Sequence, residues 1–348
     1  MMNLDYTRFM ASSETDRLDL FLGTATRMGT AVQNVEKDFW VCWTLDALFN
    51  GLSESGPRIL FKGGTSLSKG HGLIARFSED IDITVFRDDL HQSATVEELE
   101  QLGTKARGRR LDAIREACSA FITGPLRDEL ERLFREIPAC ASVRVEPDLE
   151  DQERQSLLLW YPRLTEVGPG YVGPAVKIEA GAKSALDPHH PLTVRPYIAE
   201  DLAAFNFDVP HVMTVAPERT FWDKVVILHG LRRWFETKGE LKGGGQRVSR
   251  HYYDLHRLVN SAIAEPALND LALGRDCVRH ARMFFNRTAF DLDSAKTGSF
   301  ALLPHDGMVN ALRGDYERMS GMIFGDGPNF DRVMESISRL EKRVNEAK

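Results

Sequence analysis

Cysteine is scarce in this chain of 348 residues, and its four copies are scattered. They are Cys42, Cys118, Cys140 and Cys277, and no two of them form a C-x-x-C pair. This pattern argues against a zinc site and against a disulfide framework, because both need cysteines at matched spacings. We therefore expect a protein of the reducing cytoplasm.

Long apolar runs and an excess of positive charge are also missing. No apolar run approaches the roughly 18 residues that would span a bilayer, and the first residues lack the basic and apolar regions of a secretory signal. The formal net charge of −7 argues against indiscriminate nucleic-acid binding but leaves room for a local basic patch. The length allows about two domains.

Apolar periodicity predicts an α+β fold with a helical C-terminal part. Helical spacing marks residues 35–49, and short apolar runs mark strands at 59–61 and 80–86. Other predicted segments are strands at 142–145, 156–161, 175–180 and 192–197, helices within 96–137 and from Pro217 to 235, and a mobile loop at 238–249. We expect an N-terminal domain at 1–215 and a helical domain at 216–348.

The most informative stretch begins directly after the first predicted strand, with Gly63, Gly64, Thr65 and Ser66. Two glycines after a strand let the backbone turn tightly and approach a ligand closely. The two hydroxyls and the amides of a following helix can then hold phosphate oxygens. The segment therefore predicts a nucleotide-binding turn.

Two acidic residues open the next predicted strand. Asp80 and Asp82 are two positions apart, so strand alternation places both carboxylates on one side. Adjacent carboxylates repel each other unless a cation lies between them, and oxygen ligands favour Mg²⁺. Such ions bridge triphosphate oxygens and activate an attacking hydroxyl. An isolated Asp-x-Asp is common on surface strands, but here it follows the glycine-rich turn by about fifteen residues, which strengthens the metal interpretation.

This arrangement resembles the DNA polymerase β-type nucleotidyltransferase superfamily, and more closely its AbiEii/AbiGii toxin family. The resemblance covers about residues 30 to 260. It rests on four ordered stretches, which read VEKDFWV (35–41), FKGGTSLSK with RFSEDID (61–69 and 76–82), ERTFWDK (218–224) and RHYYDL (250–255). It implies a nucleotidyltransferase-type mixed sheet flanked by helices, with the C-terminal domain completing the active site.

The resemblance also implies a third metal carboxylate. Glu179 lies in a strand-like run and shares a face with Lys177. It either completes the metal site or forms a surface pair with that lysine, and the sequence leaves both interpretations open.

Two further site residues follow from the resemblance. Lys224, on an amphipathic helix whose core stripe is Phe221, Val225 and Leu228, is expected to contact the nucleotide phosphates. Asp254 is expected to be an active-site acid that orients Lys224 or the acceptor. The alternative for Asp254 is a simple helix pair with Arg250, four residues earlier.

Basic character is local. One cluster lies between residues 232 and 250, and a second comprises Lys105, Arg107, Arg109, Arg110 and Arg115. Such clusters suit an RNA backbone, where phosphate contacts supply most of the affinity, although a solvated charged surface is the commoner outcome.

Ser78 stands two residues before Asp80, so strand periodicity would direct its hydroxyl to the metal side. The resemblance adds that some relatives are silenced when an antitoxin phosphorylates a serine or threonine at this position. The alternative is that Ser78 only caps the turn into the strand.

Together these features predict a Mg²⁺-dependent nucleotidyltransferase that uses an NTP. The resemblance implies a toxin with a cognate antitoxin, acting on RNA, with the tRNA 3′ end as the expected acceptor, and thereby blocking translation. The alternatives are a nucleotidyltransferase that modifies a small molecule or a protein, or a nucleotide-binding partner without catalysis.

Overall fold

The computed structural model describes residues 1–166 and 175–347, and the chain forms two compact units. The first unit comprises Met1–His71, Phe77–Ala94 and Thr104–Val215. The second comprises Gly72–Arg76, Thr95–Gly103 and Ala216–Lys348. All strands of the sheet belong to the first unit, whereas the second unit is built from helices.

Helices and strands are numbered here in chain order. The helices are α1 (Leu4–Met10), α2 (Glu14–Met28), α3 (Val32–Asp46), α4 (Gly63–Thr65), α5 (Val96–Glu100), α6 (Thr104–Phe121), α7 (Arg127–Arg135), α8 (Pro217–Lys238), α9 (Ser249–Val259), α10 (Ala264–Asn269), α11 (Leu271–Phe284), α12 (Asp306–Met319) and α13 (Phe330–Glu346). The strands are β1 (Ile59–Lys62), β2 (Ile81–Val85), β3 (Arg144–Pro147), β4 (Ser156–Trp160), β5 (Ala175–Glu179), β6 (His189–Val194) and β7 (Val209–Val215). Wider π-helical turns continue α3 and α4 over Ala47–Gly51 and Ser66–Gly70.

The seven strands form one mixed sheet in the order β3-β4-β5-β2-β1-β7-β6. The pairs β2–β5 and β1–β7 are parallel, and the other neighbours are antiparallel. The central strand β2 carries Ile81, Ile83 and Val85, whose side chains are fully buried. Asp82 and Thr84 alternate with these residues and therefore lie on the opposite face of the sheet.

The sheet has one strand that the sequence analysis missed and one that starts earlier than expected. Strand β7 is the missed one, because Pro210 and His211 interrupt its pattern of apolar residues. His211 also has a positive φ of 61°. Strand β6 begins at His189 rather than at residue 192, because its first residues pair with the end of β7. Both differences arise from tertiary pairing, which the local pattern does not contain.

Helix α3 is buried on nearly all sides and not only along its apolar stripe. The expected core residues Val35, Phe39, Cys42 and Leu45 are fully buried, whereas Phe49, in the π-turn that follows, is partly exposed. Aromatic rings extend this core; Trp40, for example, stacks on Tyr161 with ring centroids 5.1 Å apart. The aromatic packing fixes the helix against the sheet.

Three consecutive charged residues of α3 are buried as well, and each has a partner from a different segment. The Glu36 carboxylate accepts hydrogen bonds from the backbone N–H groups of Leu164 and Thr165. The next residue, Lys37, pairs with Glu79 at 2.7 Å. The third, Asp38, pairs with Lys69 at 2.6 Å and accepts from the Tyr197 N–H at 2.7 Å.

The second unit packs α8 and α9 together with the later helices. Helix α8 begins at Pro217, as predicted, and its stripe residues Phe221, Val225 and Leu228 are fully buried. The start of α9 is held by Asp315, whose carboxylate accepts from the N–H and the hydroxyl of Ser249. Between the two helices, the loop expected to be mobile contains a short 3₁₀ turn at Lys242–Gly245.

The fold class is confirmed as a mixed sheet with many helices. None of the helices in the described part of the chain is long and apolar enough to cross a membrane. All four cysteines are buried free thiols.

The Lys37–Glu79 pair predicts a large stability effect. Replacing Lys37 by Met should leave the buried Glu79 carboxylate without this cation and lower the free energy of unfolding by about 3–5 kcal/mol. Chemical denaturation measures the change. The control is Arg132→Met, which removes an exposed pair with Glu136 and should cost at most about 1 kcal/mol. Equal losses in the two variants would show that burial of the Lys37–Glu79 pair has no special effect on stability.

Candidate active site

The glycine-rich turn after β1 passes directly over the side chain of Asp82. Gly63 has a φ of +79°, and a Cβ atom at this position would lie 2.0 Å from Oδ2 of Asp82. No other residue type fits there without displacing that carboxylate. The first glycine of the predicted turn is therefore explained by its close approach to the second aspartate.

The hydroxyls of the turn are occupied within the protein. Thr65, which is fully buried, is hydrogen-bonded through its hydroxyl to the backbone carbonyl of Asp80 and lies 2.8 Å from the hydroxyl of Ser78. Ser66 donates to the carbonyl of Gly63 at 2.9 Å. The two hydroxyls hold the turn together and tie it to the segment that carries the aspartates. A phosphate contact by either hydroxyl, or by Gly63 and Gly64, stays a prediction.

The aspartates lie at the beginning of β2. Asp82 is the second residue of the strand and its side chain is 26% exposed, whereas Asp80 precedes the strand and is partly exposed. Because Ser78 and Asp80 lie before the first paired residue, the strand periodicity that we used for them does not apply. Their geometry is set by the Thr65 contacts instead.

Asp82 has a direct neighbour on each adjoining strand. It pairs in register with Lys62 on β1 and with Glu179 on β5. Side chains opposite each other in register project from the same face, so these three lie side by side. The Nζ atom of Lys62 is 4.0 Å from Oδ1 of Asp82.

Glu179 forms the surface pair that the sequence analysis named as one alternative. Its carboxylate lies 3.0 Å from Nζ of Lys177, which also lies 3.1 Å from Asp148. Burial alone would lower the pKa of Lys177, but these two carboxylates raise it above its ordinary value. Lys177 therefore stays protonated at neutral pH.

The acidic side chains near β2 form only a partial ligand set for a hard cation. Within residues 1–166 and 175–347, no three His, Cys, Asp or Glu side chains converge as a ready ligand group. Asp80 and Asp82 nevertheless provide carboxylate oxygens of the type that Mg²⁺ prefers, and this ion is commonly held by one or two carboxylates together with substrate phosphates. The two aspartates fit such a role, and Glu179 as a third ligand stays a prediction.

In the second unit, Asp254 joins two cations from distant parts of the sequence. Arg76 binds it through two parallel hydrogen bonds of 2.7 and 2.9 Å, and Lys224 binds it at 2.9 Å. Asp254 thus engages Lys224, as expected, and not Arg250. Sequence reasoning missed Arg76, which is separated from Asp254 by 178 positions; its only signal was its place in the RFSEDID stretch.

Burial and neighbouring charges shift the pKa values of this cluster. Burial alone would raise the pKa of Asp254, but Arg76 and Lys224 hold it well below its ordinary value. Burial lowers the pKa of Lys224, and Arg76 acts in the same direction while Asp254 opposes both. Burial, together with Lys224 and Arg250, holds the pKa of His251 well below its ordinary value. A neutral imidazole of such low basicity does not suit a catalytic base.

The two basic clusters are partly neutralised by local partners. In α6, Arg110 binds Gln92, and Arg115 lies 3.5 Å from Asp112. Near the end of α8, Arg232 and Arg233 both pair with Glu236. Exposed positive charge remains at Lys105 and Arg109, among others.

Comparisons with known proteins identify a family and a similar fold. The sequence model of the family described as "Nucleotidyl transferase AbiEii toxin, Type IV TA system" matches residues 46–336. No curated protein sequence matches the chain. Among solved structures, the fold is similar to that of MenT4, a nucleotidyltransferase toxin from Mycobacterium tuberculosis H37Rv, with a TM-score of 0.50 and 14% identity over 94% of this chain and 90% of that one.

The family match spans most of the chain and includes both aspartates, Lys224 and Asp254. Membership in this family establishes the enzymatic class and implies a partner. These toxins are nucleotidyltransferases that use an NTP, and they belong to two-component systems with an antitoxin. The interpretation as a partner without catalysis is thereby set aside. The chain belongs to the AbiEii family of nucleotidyltransferase toxins of type IV toxin–antitoxin systems.

Proposed function

We propose that this toxin transfers a nucleotide from an NTP to the 3′ end of tRNA in a Mg²⁺-dependent reaction, which would block aminoacylation and so translation in the cytoplasm. The observation that supports the proposal most is the contact between the glycine-rich turn and the Asp-x-Asp segment. The backbone of Gly63 and the hydroxyl of Thr65 hold these two motif segments together.

Asp80 and Asp82 are the residues that would hold Mg²⁺, with Glu179 as a third carboxylate. When bound, Mg²⁺ would supply charge neutralisation for the triphosphate and acidify an attacking hydroxyl. The protein itself contributes mainly by positioning the reactants, because nucleotidyl transfer needs positioning and electrostatic stabilisation more than covalent protein chemistry. The backbone around Gly63 and Gly64 would approach the phosphates, while Thr65 keeps the aspartate segment in place.

Lys224 is proposed to contact the nucleotide phosphates. The buried Asp254 carboxylate fixes the ammonium group in one position, and Arg76 binds the same carboxylate. Two basic side chains thus meet a single carboxylate, so one basic group stays unneutralised when Lys224 is protonated.

The acceptor is tested by incubating the toxin with total tRNA, Mg²⁺ and each α-³²P-labelled NTP in turn. We expect label in tRNA with at least one NTP, and no label after periodate has oxidised the 3′-terminal ribose. Label that enters only protein or small molecules, with intact tRNA unlabelled, would refute an RNA acceptor and favour a toxin that modifies one of those targets.

The two aspartates can be tested separately from the fold. Asp80→Asn and Asp82→Asn should each remove nearly all transfer while the melting temperature changes little, because they remove negative charge and leave the packing of β2 intact. The control is Asp88→Asn, an exposed aspartate just after the strand, which should keep full activity. An active Asp80→Asn protein would contradict the metal assignment.

Lys224 is tested by its replacement with Met, which keeps the apolar stem. The value of kcat/KM should fall by about 10²–10³-fold, the loss typical of one preorganised electrostatic group. Lys238→Met, at the exposed end of the same helix, should change kcat/KM for the NTP very little. Similar losses in both variants would show that Lys224 has no special role.

Ser78 is proposed as a regulatory position that a cognate antitoxin phosphorylates. A phosphate there adds about −1.5 to −2 charges beside Asp80 and breaks the contact with Thr65, 2.8 Å away. Ser78→Asp should therefore lose most transfer activity, whereas Ser78→Ala should keep a substantial part. The initial transfer rates of the two variants test this prediction. Full activity of Ser78→Asp would exclude an electrostatic switch at this hydroxyl.

A further inference from the structure

Lys62 has no role in the site as described so far, although it is the nearest cation to Asp82. It is the last residue of β1 and lies opposite Asp82 in the antiparallel register. Its ammonium nitrogen is 4.0 Å from Oδ1 of Asp82, and its side chain is 28% exposed. The lysine is thus neither buried in the core nor fully solvated.

The backbone imposes this proximity. Register pairing brings the Cβ atoms of opposed residues to within about 5.5 Å of each other. The next residue, Gly63, packs its backbone against the same carboxylate. The folded backbone therefore holds the Lys62 side chain next to Asp82, and its positive charge stays beside that carboxylate.

Stability alone does not account for a lysine at this position. A partly exposed ion pair at 4.0 Å contributes little to folding, typically about 0–1 kcal/mol. A positive charge beside a proposed ligand of a divalent cation also opposes binding of that cation. The cost is offset only if a strongly anionic group arrives together with the metal, which is the chemistry of a triphosphate.

We propose that Lys62 is a further active-site residue that neutralises Asp82 when no nucleotide is bound and pairs with the triphosphate when the nucleotide and metal are bound. This inference rests on the proposed function, because it needs Asp82 to be a metal ligand. A lysine suits the exchange of partners, since its ammonium group is a point charge on a flexible four-carbon stem. The consequence is ordered binding, in which the metal alone binds weakly and the metal with triphosphate binds well.

The test measures binding and not only catalysis. Mn²⁺ serves as the metal probe, followed by electron paramagnetic resonance of the free ion, and inorganic triphosphate serves as the anion probe, followed by calorimetry in the presence of Mn²⁺. Lys62→Met should bind Mn²⁺ alone about three- to tenfold more tightly, because a repelling charge at this distance is removed. The same variant should bind inorganic triphosphate about tenfold more weakly, because an attracting charge is lost.

Two further variants separate charge from structure. Lys62→Arg keeps the positive charge and should restore both affinities to within about twofold of the unsubstituted protein. Lys342→Met removes an exposed lysine of α13, outside both basic clusters, and should change neither affinity. If Lys62 had a purely structural role, its replacement would weaken the binding of both ligands or of neither. It would not change the two affinities in opposite directions.

The outcomes distinguish this inference from the function on which it rests. If the unsubstituted protein binds Mn²⁺, Asp82→Asn weakens that binding and Lys62→Met changes neither affinity, the metal assignment stands and the role of Lys62 is wrong. If the unsubstituted protein binds no Mn²⁺ with or without triphosphate, the metal assignment and this inference are both wrong. Opposite shifts in Lys62→Met, restored by arginine, would support both.

Discussion

The arrangement of the first unit depends on three consecutive buried charges in one helix. Glu36, Lys37 and Asp38 are all buried, and each one binds a group from a different segment of the chain. Lys37 binds the residue directly before the first aspartate of the Asp-x-Asp segment, and Asp38 binds Lys69 at the end of the glycine-rich stretch. One rigid helix therefore sets the positions of both motif segments.

Buried ion pairs of this kind are better suited to positioning than to stability. Desolvation of two charges costs about as much as their attraction returns, so a well-packed apolar pair is often as stable. What an apolar pair lacks is directionality. A salt bridge at 2.7 Å, such as Lys37–Glu79, restricts the adjoining backbone to a narrow range of positions. The restriction keeps the segment that carries Asp80 in a defined position relative to α3.

Much of the site could be predicted because its signals are local. The turn residues after β1, the strand that carries Asp82 and the proline at the start of α8 each follow from a few neighbouring residues, and the structure contains all three, although Asp80 lies before β2 and not in it. The engagement of Lys224 by Asp254 was anticipated through the family resemblance, and not through spacing.

Other features needed three-dimensional structure. The partner of Arg76 is 178 positions away in the sequence. The neighbours of Asp82 are set by strand register, which depends on pairing across the sheet. The bonds of the Thr65 hydroxyl to the aspartate segment also needed the structure, because a buried hydroxyl finds a protein partner that the local pattern does not name. The pair between Lys177 and Glu179 was one of two alternatives that the sequence could not separate.

The central claim is that the Asp-x-Asp end of β2 supports nucleotidyl transfer, and parallel reactions with α- and γ-labelled triphosphates test it most directly. Each of the four NTPs is supplied with ³²P at one position, with tRNA as the acceptor and Mg²⁺ present. The account predicts that the α-label enters the acceptor while the γ-label is released as pyrophosphate, and that chelation of the metal stops both. Transfer of the γ-label to the acceptor, or release of pyrophosphate that chelation does not affect, would contradict it.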